Sequence, residues 1–156
     1  MKKYTCCFFG HREIRETDKF KADLQSTIES LITNENIHTF LFGSKSRFDE
    51  LCLETVTKLK EKYPHVKRIY VRAEYPVISD SYRAYLLTKY DDTYYPESIK
   101  GAGMAVYVER NRDMIQKSRY CIVYFDENNT PKTRKSGTKI ALDHAVKLNK
   151  EIIVFS

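Results

Sequence analysis

The run Tyr4-Thr5-Cys6-Cys7-Phe8-Phe9, stopped by Gly10, is almost continuously apolar and β-prone. A strand with one wet face alternates polar and apolar side chains. A run without alternation reads as a strand buried on both faces, the environment of a parallel sheet between helical layers.

The rest of the chain fits that environment. Residues 17–33 place Phe20, Leu24, Ile28, Leu31 and Ile32 on one helical stripe, with Thr17 or Asp18 as N-cap. Residues 37–42 read as a second strand, stopped by Gly43. Phe48, Leu51, Cys52, Val56, Leu59 and Tyr63 give a second helix over 48–63, ended by Pro64. Residues 66–72 alternate and read as a third strand. Residues 77–103 are rich in tyrosine and mostly loop-like, with a short helix at 81–90; loops of that length in a compact domain are usually functional or disordered. Residues 104–108 read as a strand or the lead into a helix, 109–118 as a helix, 120–125 as a strand and 126–131 as a turn-rich loop. A helix over 135–149, with Ile140, Ala141, Ala145 and Leu148 on one face, precedes a last strand at 151–155. Strands alternating with helices predict an α/β fold, one domain over residues 1–156 with a mostly parallel sheet covered on both faces.

Composition narrows the function classes. The 27 Lys+Arg against 21 Asp+Glu give a formal charge of +6, which favours anionic partners without choosing among them. The lysines are spread over helix faces, and no basic run carries interleaved aromatics, so nucleic acid is disfavoured. Cys6, Cys7, Cys52 and Cys121 form no C-x-x-C, and no histidine stands at finger spacing. No metal and no cofactor are expected, and buried thiols in a reducing cytoplasm are the default. No segment approaches the roughly 18 apolar residues of a membrane span, so no membrane partner is expected. The short apolar run near the N-terminus lacks the length and cleavage site of a signal peptide.

In open parallel sheets a ligand lies at the carboxyl ends of the strands, near the reversal of strand order. Those ends are Gly10-His11-Arg12, Gly43-Ser44, Arg72-Ala73-Glu74 and Asp126, followed by the helix start Ser136-Gly137-Thr138. Glycine admits close approach of a phosphate to the backbone, hydroxyls donate, and arginine clamps anions. The first amides of a helix add an anion site. Lys45-Ser46-Arg47 makes the loop after the second strand basic, which suits a ligand with more than one phosphate. Each feature also has a plain structural reading: a glycine that ends a strand, a loop histidine, an Arg12 paired with Glu13 or Asp49, a serine that caps a helix. Convergence in one crevice is what favours a ligand site.

Cys6-Cys7-Phe8-Phe9-Gly10-His11-Arg12 resembles the opening of the SLOG superfamily in its YpsA-like branch. Gly43-Ser44 with Phe48-Asp49, the segment Glu109-Arg110-Asn111-Arg112-Asp113-Met114, and Ser136-Gly137-Thr138 agree with it. The resemblance implies a Rossmann-like three-layer sandwich, with the tyrosine-rich segment inserted as a lid before the fourth helix. Family members bind nucleotide-derived ligands; the LOG branch cleaves a nucleoside monophosphate at its N-glycosidic bond, and some members in antiviral systems sense ADP-ribose-type signals. It further implies phosphate contact at Ser136, Gly137 and Thr138, and pocket-facing roles for Arg110 and Asn111. LOG enzymes carry a glutamate two residues after the threonine of that turn, where this chain has Ile140, so binding without chemistry is favoured. Arg12 would then join the turn in holding phosphate, Gly43 and Ser44 would approach the ribose or a second phosphate, Glu74 or Asp126 would accept from hydroxyls or an amine, and tyrosines 82–95 would stack over a base. The alternative is an N-glycosidase using Glu74 or Glu109, with Asp126 a further candidate acid. The expected partner is a nucleotide-derived small molecule, an ADP-ribose-type or cyclic nucleotide signal, and the expected assembly is a homo-oligomer, a dimer or larger.

Overall fold

The computed structural model describes residues 2–129 and 136–156. Six parallel strands form one sheet: β1 (Thr5–Gly10), β2 (Thr39–Phe42), β3 (Lys67–Val71), β4 (Asp92–Tyr94), β5 (Tyr120–Tyr124) and β6 (Glu151–Phe155), in the order β4-β3-β2-β1-β5-β6. Five α-helices accompany them: α1 (Asp18–Asn34), α2 (Arg47–Lys62), α3 (Asp80–Leu86), α4 (Val106–Gln116) and α5 (Gly137–Lys147). This is an α/β Rossmann-like three-layer sandwich. The chain winds outward from β1 through β4, then returns to the other side of β1 with β5 and β6. Strand order therefore reverses between β1 and β5.

The absence of alternation in β1 has its cause in the two cores. Cys6 and Phe8 point to the layer of α1 and α2, among Leu24, Ile28, Phe48 and Val56. Cys7 and Phe9 point to the opposite layer, among Met114 and Ile115 of α4 and Ala141 and Ala145 of α5. Both faces are dry, so every residue of the strand up to Phe9 is buried. Each large side chain so buried contributes about 1.5–3 kcal/mol relative to exposure. All four cysteines are free and buried, and Cys7 and Cys121 are register partners with sulfurs 3.5 Å apart.

Helix starts follow the capping residues. Thr17 Oγ1 accepts from the Phe20 N–H at 3.0 Å, and Ser46 Oγ from the Asp49 N–H at 3.1 Å. Five side chains of the expected stripe on α1 are buried, from Phe20 to Ile32.

The tyrosine-rich segment departs from the expectation. It contains α3 and a strand, β4, that extends the sheet: Tyr70 pairs with Thr93 and Val71 with Tyr94. The strand is only Asp-Thr-Tyr, too short and polar to carry a period. Its anchor is non-local: Asp91 accepts from Arg68 Nε at 3.0 Å and from the Arg68 N–H at 2.8 Å. Residues 104–108 lead into a helix, and α4 begins at Val106, three residues ahead of the expected start.

Candidate functional site

The carboxyl ends of β1, β2 and β3 and the starts of α4 and α5 enclose a cleft of about 780 Å³ beside the reversal of strand order. Of the residues expected at a site, the structure brings Gly10, His11, Arg12, Gly43, Ser44, Arg72, Glu74, Arg110, Asn111, Ser136, Gly137 and Thr138 to its lining. Two expected residues lie elsewhere. Glu109 faces its own helix neighbour, pairing with Arg112 at 2.8 Å. The carboxylate of Asp126 closes its own turn by accepting from the Asn128 N–H at 3.0 Å. Asp126 reaches the site through its backbone, whose N–H donates to His11 Nε2 at 3.0 Å. That bond makes Nε2 an acceptor and puts the ring proton on Nδ1.

The wall at α5 has its donors ready. Ser136 caps the helix, its Oγ accepting from the Lys139 N–H at 3.1 Å and its carbonyl from the Ile140 N–H. The amides of Gly137 and Thr138 have no partner among the described residues, and they carry the positive end of an eleven-residue helix. A Cβ on Gly137 would meet nothing within 4 Å. Arg12 stands exposed on the same side, its guanidinium free of hydrogen bonds and ion pairs among the described residues.

The opposite wall is closed on itself. Asp49, at the start of α2, accepts through Oδ2 from the Gly43 N–H at 3.3 Å and the Ser44 N–H at 3.2 Å. Ser44 Oγ lies 2.9 Å from Ser46 Oγ and accepts from the Ser46 N–H. Arg110, buried on α4, donates from Nη1 to the Gly43 carbonyl and from Nε to Asn111 Oδ1 at 2.9 Å. Burial lowers the Arg110 pKa from its ordinary value, while Asp49 pulls it the other way. Two of the three expected cleft glycines are required by packing: a Cβ on Gly43 would come within 2.8 Å of Arg110 and of Met114 Sδ, and one on Gly10 within 2.5 Å of Phe48 Cβ.

Arg72 fastens the exit of β3. It donates from Nε to the Tyr75 carbonyl at 3.0 Å, from Nη1 to Thr93 Oγ1 at 3.0 Å and from Nη2 to the Pro76 carbonyl at 3.4 Å. Three of its five N–H groups are thereby used. Glu74, exposed at the cleft, accepts from the Tyr107 hydroxyl, and the Tyr107 ring lies 5.8 Å from the Arg110 guanidinium.

Two expectations about the loops change. Of the basic pair in the loop after β2, Lys45 lines the cleft, but Arg47 turns away to Glu16 (2.8 Å), Glu54 and Glu50. Of the tyrosines expected to stack, Tyr82 alone among residues 82–95 lines the cleft. Tyr90 stacks on Tyr70 at 5.1 Å, and Tyr94 donates to Asp113 at 2.9 Å. Burial raises both phenols. The tyrosines that line it are instead Tyr70, Tyr75, Tyr82 and Tyr107; Tyr70 and Tyr107 sit on regular elements whose faces the sequence periodicity did not single out. Asp49, expected only as part of the resemblance segment or as a partner of Arg12, instead holds the second wall through the Gly43 and Ser44 amides.

Among the described residues no group of three or more His, Cys, Asp or Glu stands ready for a metal ion, and no helix is long and apolar enough to cross a membrane. No protein-family model matches the chain, and no curated protein matches it.

Proposed function

We propose that this protein binds a nucleotide-derived ligand of the ADP-ribose type without transforming it, as a sensor or a sequestering protein. The observation that carries this is the convergence of twelve expected residues on one cleft at the strand-order reversal, with two helix amides on its α5 wall that have no partner among the described residues. Phosphate is held by the Gly137 and Thr138 amides with Arg12, and a second anionic group meets Lys45. Tyr82, Tyr75 and Tyr107 offer rings to a base, and Glu74 accepts from a ribose hydroxyl. Membership of the SLOG superfamily, a cytoplasmic location and assembly into a homo-oligomer belong to the same proposal. The exposed Tyr75, Val77, Tyr85 and Leu87 support the last.

The test is native mass spectrometry of protein purified from cells, followed by calorimetry with ADP-ribose and AMP. A retained or titrated ligand, recovered intact, is expected; no binding of any nucleotide in a panel sinks the proposal.

The second reading is an N-glycosidase, and one observation keeps Glu74 in it: this carboxylate is inside the cleft and hydrogen-bonded to Tyr107. Glu109, outside the lining, loses its claim. Release of free base, abolished by Glu74→Gln, would establish the enzyme; an intact ligand after prolonged incubation would exclude it.

A further inference from the structure

A loop that cradles an anion turns its amides outward. The turn after β2 does the reverse. The Gly43 and Ser44 amides donate inward to Asp49, the Ser46 amide to Ser44 Oγ, and the Arg47 amide to the Arg12 carbonyl. Over residues 43–47 the Lys45 N–H alone is left without a partner among the described residues. Asp49 is 3% exposed, and among the described residues its buried Oδ1 has no hydrogen-bond partner and no ion pair includes it. The charged and titratable groups facing it are Arg110 from α4, Tyr70 from β3, Tyr90 from the segment after α3, and Cys52 on its own helix. Arg110, the one cation of that set, hydrogen-bonds to the Gly43 carbonyl and to Asn111.

We propose that Asp49 is the positioning residue of this wall. Ionised, it holds the Gly43 and Ser44 amides away from the cleft and repels an anionic ligand; on taking up a proton it relaxes both effects, so ligand affinity rises as pH falls. The ligand's negative charge is taken from the nucleotide reading above, on which this inference rests. Burial pushes the Asp49 carboxyl up to about 6, against the pull of the Gly43 and Ser44 hydrogen bonds and of Arg110. The change therefore falls within an accessible range of pH.

Calorimetry with ADP-ribose tests it, because the charge of that diphosphate is constant between about pH 5 and pH 8. Wild type is expected to bind several-fold tighter at pH 5.5 than at pH 7.5, up to the ceiling of about 25-fold that one linked proton sets for a carboxyl titrating at about 6. Asp49→Asn is expected to bind at pH 7.5 as tightly as wild type does at pH 5.5. Every group other than residue 49 is common to both proteins and cancels in the difference. Identical pH profiles would overturn the assignment to Asp49 and leave the nucleotide reading standing. No binding at any pH would overturn both. The lock is read separately by an NMR titration of ¹⁵N-labelled wild type, which also decides should the variant not fold. The Gly43 and Ser44 amides are expected to shift together with one midpoint near pH 6; amides that stay put across that range would overturn the lock even if ADP-ribose binds.

Discussion

Arg110 stands against the side of Gly43 where a Cβ would be, its Cδ and Nε each 2.8 Å from that position, and its guanidinium donates to the Gly43 carbonyl. Gly43→Ala would set a methyl group 2.8 Å from Arg110 Cδ and Met114 Sδ, so Arg110 must move. We expect a loss of about 1–3 kcal/mol in urea denaturation, together with weaker ADP-ribose binding. Gly10→Ala should cost at least as much, because the obstructing atoms include Phe48 Cβ, which cannot swing aside. Wild-type stability in either variant would contradict the packing described.

Gly137→Asp should separate binding from folding. Its Cβ enters open space at the first turn of α5. An acid there favours the helix by about 0.3–1 kcal/mol while repelling phosphate. Thermal unfolding should be unchanged or slightly higher, and ADP-ribose affinity should fall by about tenfold or more. Equal affinity in the folded variant would remove α5 from the site.

Asp49 should leave a mark on stability that needs no ligand. Its carboxyl titrates near 3.8 when unfolded and at about 6 when folded, so between those values the native state holds the extra proton. Stability contributed by this group is complete below about pH 4 and lost as pH rises through 6, by about 3 kcal/mol in all. Asp49→Asn should abolish that slope. Denaturation curves across pH 4 to 7 that run parallel for the two proteins would refute the shift.

Tyr107→Phe removes the hydroxyl that Glu74 accepts and leaves the ring beside Arg110. Both groups are exposed, so the effect on stability should stay within about 0.5 kcal/mol. If Glu74 holds a ribose hydroxyl, freeing it should alter the affinity for ADP-ribose while that for inorganic phosphate holds. Equal changes for the two would put Glu74 away from the sugar.

The residues show why part of this was legible in the sequence. β1 and β5 announced themselves because burial on both faces leaves unbroken apolar runs, and the strand ends then named most of the cleft. β4 did not, because three residues carry no period and their place is set by Arg68, more than twenty residues earlier. Lys45 and Arg47 look equivalent in sequence; Glu16, across the loop, takes one and leaves the other. Tyr90 and Tyr94 look like Tyr82 until the sheet buries them.

The four buried thiols give the molecule an internal clock. Cys6, Cys7 and Cys121 lie in the centre of the sheet and Cys52 beneath it, all at 0% exposure, and burial raises Cys6, Cys7 and Cys52 well above the ordinary thiol range. A thiol-reactive probe can reach them only when the native state opens. Labelling of Cys7 and Cys121 should therefore proceed at the rate of sheet opening, and a bound ligand that spans the two halves of the sheet should slow it in proportion to its occupancy.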